Sequence, residues 1–387
     1  MVQGTCRMRY LCQGTTFVLV SWISVWCSIT PNHLHPHMKE WLSLGNLSGV
    51  GSVKHAVPEQ CYFDELENEN RHSKHADRRP FVQSDYLPIP MFINVFQEIC
   101  RISKGQEPTV TPCTNHDFPL IHSAQGKCLP GQPVDLLILI SSDDANYEQR
   151  DAIRRYWANS ACWLGAKVRH VFLLGSSSVA VVSDPGIAEE QEIYNDIVQQ
   201  HFSAYDENTT ASYKLLLGFR WSLAFCAQAK WLLFVSDTQF VNPFNTISFL
   251  LSVSEAMRQR LVIGSVWYEP FVNDVKPLWY PTDTQKAEDN ERFPTFVATS
   301  AVFVSSVLSP SIYFTMRFTQ LANHPDLFMA YALRKLFILP AHFYDIYAHT
   351  RQPLNAEAYE RAIVFPCGGK ANQSETWELL NCGKYCQ

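Results

Sequence analysis

VDLLILIS, residues 134–141, is the segment that most narrows what this chain can fold into. Apolar side chains fill six of its eight positions. A strand with one wet face alternates apolar and polar residues, so this one must be covered on both faces. VRHVFLLG at 168–175 and KWLLFVSD at 230–237 read the same way, as do RLVIGSV at 260–266 and TFVATSAVFVS at 295–305. Helical spacing lies between them. DDANYEQRDAIRRYWANS places Ile153 and Trp157 on one face, and IAEEQEIYNDIVQQHF, 187–202, reads as an amphipathic helix. YKLLLGFRWSLAFCAQ reads as a largely buried helix. Buried strands alternating with helices predict an α/β sheet with helices on both faces. Ligands of such sheets bind beyond the carboxyl ends of the strands. Asp143, Asp144, Ser176 to Ser178 and Asp237 stand at those ends.

Other features bound the cellular setting. Tyr10 to Ile29 carries no charge, and a helix of that length crosses a hydrocarbon layer of roughly 30 Å. Arg7 and Arg9 precede it, and the next basic residue is Lys39. The positive-inside rule then makes residues 1–9 a cytoplasmic tail and 10–29 a transmembrane signal anchor. A cleaved signal peptide is the competing reading, since Thr15, Thr16 and Ser21 weaken the span. Sequons at Asn46, Asn208 and Asn372 fit a secretory-pathway protein. Of 12 cysteines, those from Cys61 to Cys386 would face an oxidising lumen. Their odd number leaves one free or available for a disulfide-linked dimer. No paired CxxC knuckles support zinc. Net charge is −6 without a basic stripe, so nucleic acid is not an expected partner.

The Pro-rich, polar segment 30–133 reads as a luminal stem. Residues 134–350 read as a catalytic-like domain, and 351–387 as an irregular Cys-containing tail. No GxGxxG follows the first strand, and neither GxxxxGK[ST] nor GxSxG occurs, so three common α/β chemistries are unsupported.

Two stretches carry a positive signal. The first, 136–159, ends with Arg150, Ile153, Arg154 and Trp157. The second runs through Tyr194, Asp196, Ile197, Lys214, Gly218, Arg220, Trp221, Cys226, Ala229 and Lys230 to Phe240, Val241 and Asn242. In this order and spacing they resemble the β-1,3-glycosyltransferases of the animal Golgi, over roughly Val134 to Pro340. The resemblance implies a GT-A fold with a Rossmann-like mixed sheet. It also implies a single-pass type II Golgi membrane protein, a UDP-sugar donor and a glycan acceptor on protein or lipid. By that resemblance Arg150, Arg154, Asp196, Lys214 and Asp237 would meet the donor, and Asp326, from Pro325-Asp326-Leu327, would be the catalytic base. The chemistry is coherent. A departing diphosphate needs a dication or basic groups, and inverting transfer needs a carboxylate to take the acceptor proton.

Two departures stand out. The family's acidic triplet, which holds Mn2+ or Mg2+, reads Ser236-Asp237-Thr238 here, leaving Asp237 as the metal candidate. A neutral hydroxyl is a poor ligand for a hard dication. The family's glycines in the later strand are replaced by Thr299, Ser300 and Ala301, whose side chains would narrow an acceptor pocket. Ordinary roles remain open as well, a turn cap at a strand end for Asp237 and helix N-capping for Asp326. The expected function is a hexosyltransferase moving galactose or N-acetylglucosamine. The alternative is a non-catalytic relative, such as a chaperone for another transferase.

Overall fold

The computed structural model describes residues 94–103, 106–112, 114, 120–176, 184–202, 209–258, 260–270, 292–348, 354–368 and 370–386. The expected cytoplasmic tail and anchor, most of the stem, Asn46 and Asn208 lie outside the described residues. No described helix is long and apolar enough to cross a membrane.

The strands are β1 (Leu120–Ser123), β2 (Val134–Ser141), β3 (Val168–Ser176), β4 (Ile197–His201), β5 (Ala229–Ser236), β6 (Gln239–Val241), β7 (Val262–Trp267), β8 (Phe296–Ser305), β9 (Ala341–His342) and β10 (Val364–Pro366). Eight of them form one mixed sheet in the order β1-β4-β3-β2-β5-β8-β7-β9. β4, β3, β2 and β5 are parallel, so their carboxyl ends share one edge. β8 runs antiparallel to β5 and therefore begins at that edge.

The helices are α1 (Val95–Ser103), α2 (Tyr147–Arg155), α3 (Pro185–Tyr194), α4 (Thr210–Phe225), α5 (Pro243–Ser252), α6 (Glu255–Arg258), α7 (Ser309–Arg317), α8 (Pro325–Lys335), α9 (Ala356–Arg361) and α10 (Lys370–Leu379). Strand β2 shows why both faces are covered. Leu137 and Leu139 join one core with side chains from α4, α7 and α8. Leu136, Ile138 and Ile140 join the other, with Ile153 of α2, Ile187 of α3, Phe249 of α5 and Trp377 of α10.

Three expectations change. The predicted helix over 187–202 breaks at Asn195, which takes a left-handed conformation at φ 47° and caps α3. Asn tolerates that region, and the β-branched pair Ile197-Val198 then opens a strand. β4 is buried throughout, including Gln199, Gln200 and His201, and those polar residues made the segment look amphipathic. The tail is packed rather than irregular. β10 pairs antiparallel with β6, the Trp377 ring meets those of Tyr156 and Phe240 at a tilt, and Cys386 is bonded to Cys162. Finally, Leu120–Ser123, inside the expected stem, adds an antiparallel edge strand to the main sheet. A Cys128–Cys226 bond ties that region to the end of α4.

Gly264 lies where β7 slips register against β8. A Cβ there would sit 2.8 Å from the Ala301 carbonyl oxygen and 2.7 Å from Val297 Cγ2. Neither atom belongs to a long, flexible side chain. Gly264→Ala should cost about 1–3 kcal/mol in chemical denaturation. An unchanged midpoint would contradict this close approach.

Candidate active site

The parallel register of β2 and β5 pairs Ser141 with Ser236, so Ser142 and Asp237 emerge side by side. The Asp237 amide donates to the Ser141 carbonyl at 3.0 Å. Ser142 Oγ and Asn146 Nδ2 both donate to Asp237 Oδ2, at 2.7 and 2.9 Å. Gln149 Nε2 donates to the Asp237 carbonyl at 2.7 Å. A strand end and the first turn of α2 thus hold one buried carboxylate in place. Burial pushes its pKa up and the charge of Asp143 adds to that, while the bonds from Ser142 and Asn146 and the nearby Lys214 pull it down.

These groups do not make a dication site. Asp237 Oδ2 is already filled by two donors. The Thr238 hydroxyl lies 2.9 Å from Ser236 Oγ. Among the described residues no cluster of three or more His, Cys, Asp or Glu could hold a metal ion.

Arg150 sits directly behind the carboxylate, fully buried. Its Nε and Nη2 donate to the two oxygens of Glu190 at 2.8 and 2.7 Å. Nη1 donates to Ser142 Oγ and to the Asp143 carbonyl, and Nη2 also donates to the Asp144 carbonyl. A guanidinium has five N–H groups, and all five are used here within the protein. Arg150 therefore shapes the loop after β2 and has no hydrogen left for a ligand.

Arg154 lies one turn farther along α2, away from the carboxyl edge. It makes a two-pronged pair with Asp196 at 2.9 and 2.8 Å and reaches Glu190 at 2.6 Å. Its guanidinium carbon lies over the rings of Tyr194 and Phe172, 4.1 and 4.7 Å from their centroids. Asp196 precedes β4, at the amino-terminal end of a parallel strand, and so stands away from the edge that holds Asp237. Burial alone would raise the Asp196 pKa. The bonds from His170 and Arg154 outweigh it and hold the carboxyl well below the usual carboxylate range. The chain Arg150–Glu190–Arg154–Asp196–His170 is one buried polar network.

Lys214, from α4, crosses to the loop after β2 from the other face of the sheet. It donates to the Ser142 carbonyl at 2.6 Å and pairs with Asp143.

On the neighbouring strand, Ala301 of β8 pairs with Val235 of β5. Thr299 and Asp237 each lie two residues farther toward the carboxyl edge, Thr299 within the stretch where β8 slips register against β7. Thr299 holds Asp326, which lies in the first turn of α8 and is not its N-cap: that position is His324, and the Asp326 carboxylate turns to β8 instead. The Thr299 amide and hydroxyl donate to Asp326 Oδ1 at 2.7 and 2.6 Å. Asp326 is buried, with His324 Nδ1 3.6 Å from Oδ2. Asp237 and Lys214 thus meet at the loop after β2, supported by Arg150, and Asp326 is held from the adjacent strand β8. The sequon residue Asn372 is exposed near the start of α10.

Sequence reasoning passed over Glu190, Ser142 and Asn146. Glu190 sits in the polar run AEEQE, where nothing marks it apart from its solvated neighbours.

A family model described as galactosyltransferase matches residues 148–343. Beta-1,3-galactosyltransferase 1 of Homo sapiens is 31% identical over 229 residues, spanning 59% of this chain and 68% of that one. Lactosylceramide 1,3-N-acetyl-beta-D-glucosaminyltransferase of Rattus norvegicus is 28% identical over 254 residues, spanning 64% of this chain and 66% of that one.

Asp196→Asn leaves Arg154 underpaired in a buried setting and should cost about 3–5 kcal/mol near neutral pH. A depressed carboxyl contributes stability above its unfolded pKa of about 4 and loses it as pH falls through the folded value. The gap between wild type and variant, read by denaturant titration, should therefore narrow below about pH 4. A gap independent of pH would contradict the pairing.

Proposed function

The chain belongs to the galactosyltransferase family, and from that premise we propose that it moves galactose or N-acetylglucosamine from a UDP-sugar to a glycan hydroxyl. Membership makes it a hexosyltransferase. The β-1,3 linkage, the inversion and the GT-A assignment of the sheet belong to the proposal. The observation that carries it is the pairing of β5 with β8 together with the bonds from Thr299 to Asp326. Asp237 follows β5, and Asp326, on α8, is held by Thr299 of the adjacent strand β8, toward the edge where such sheets bind ligands.

In this reading Asp326 takes the proton of the acceptor hydroxyl. The donor diphosphate lies over the start of α2. Asn146 caps no backbone N–H of that helix, because its side chain is directed to Asp237. The first-turn amides therefore stay open to an anion. Lys214, held beside Asp143, adds positive charge to the same loop. Since the groups around Asp237 do not fit a dication, no step is assigned to Mn2+ or Mg2+. Arg150, Arg154 and Asp196 support the site from behind.

The proposal places the protein in the Golgi membrane as a single-pass type II enzyme anchored through Tyr10 to Ile29. Its two described disulfides support an oxidising compartment. A disulfide-linked dimer has less support, since the two free thiols among the described residues, Cys367 and Cys382, are buried.

Burial of Asp326 favours a second reading, a non-catalytic relative that assists another transferase. Activity separates the two. The purified chain should transfer sugar from UDP-galactose or UDP-N-acetylglucosamine to an oligosaccharide acceptor. Asp326→Asn should lower turnover by about 100-fold or more with an unchanged melting temperature. Turnover kept in that variant removes the base assignment, and a wild-type chain without transfer supports the second reading.

A further inference from the structure

The geometry points to Thr299 as the positioning residue for Asp326, a role that rests on Asp326 being the base. Thr299 makes two bonds to one oxygen of one carboxylate. Its amide and its hydroxyl converge on Asp326 Oδ1 at 2.7 and 2.6 Å, and both residues are buried.

A carboxylate at the start of a helix turns about its terminal torsion, which has a broad profile. Two donors on Oδ1 fix that torsion. They also engage lone pairs on Oδ1, which makes it the weaker proton acceptor of the two oxygens. The proton from an acceptor hydroxyl then goes to Oδ2, the oxygen nearer His324. The amide donor exists with any residue at 299. The hydroxyl exists only with Thr or Ser.

Position 299 is thus more than a narrowed pocket wall. A glycine there would leave Asp326 a single donor. The threonine fastens α8 to β8, the strand that pairs with β5.

Thr299→Val keeps the shape and removes the hydroxyl, while Thr299→Ser keeps it. Transfer should be measured for both beside Asp326→Asn, with melting temperatures recorded. Thr299→Val is expected to lower kcat about tenfold, the scale of one hydrogen bond to a charged group, with the acceptor KM within about twofold of wild type. Thr299→Ser is expected to stay within about threefold of wild type in kcat. Wild-type kcat in Thr299→Val overturns the inference while an inactive Asp326→Asn leaves the base reading standing. Equal losses in the Ser and Val variants also overturn it, since packing rather than the hydroxyl would then matter. Turnover kept in Asp326→Asn, or absent from the wild type, removes the base reading and this inference with it.

Discussion

The carboxyl edge of the sheet depends on one buried guanidinium. Arg150 has no exposed surface, and its five N–H groups join Glu190 of α3, the Ser142 hydroxyl and two carbonyls of the loop after β2. A buried pair of this kind adds little net stability over apolar packing, but losing one partner strands a charge and costs several kcal/mol. Its value here is positional. It fixes the loop that presents Ser142 and Asn146, which in turn fix Asp237.

This arrangement divides the site into support and edge. Arg150, Glu190, Arg154, Asp196 and His170 form a network with few groups left over, so it holds shape rather than ligand. Asp237, Lys214, the start of α2 and the Thr299–Asp326 pair face the edge itself. Basic residues drawn from a motif can therefore be conspicuous in sequence and still serve as scaffold. The same logic bears on the metal. A buried carboxylate with two donors on a single oxygen, beside an Asp143 already paired with Lys214, is an arrangement suited to hydrogen bonding rather than to enclosing a hard dication.

Much of the sheet was legible because its strands are buried on both faces. VDLLILIS forms the strand its composition predicts, residue for residue. The segment 187–202 misled, because buried Gln199, Gln200 and His201 mimic the polar face of a helix. Only the left-handed Asn195 marks the break, and Asn tolerates that conformation without requiring it. The tail misled for a different reason. Its order comes from long-range partners, β6 and Cys162, which no local pattern reveals. At the site, Asp237 and Asp326 were visible as acids at element ends. Thr299 was visible only as a missing glycine, because a hydroxyl facing a carboxylate from another element is a tertiary fact.

On the proposed function this edge is a UDP-sugar site that holds its donor through protein groups. Calorimetric titration of UDP into the purified protein, with and without manganese, tests it most directly. The account predicts saturable binding of similar affinity in both conditions. Binding that requires manganese, or no binding in either condition, would contradict it.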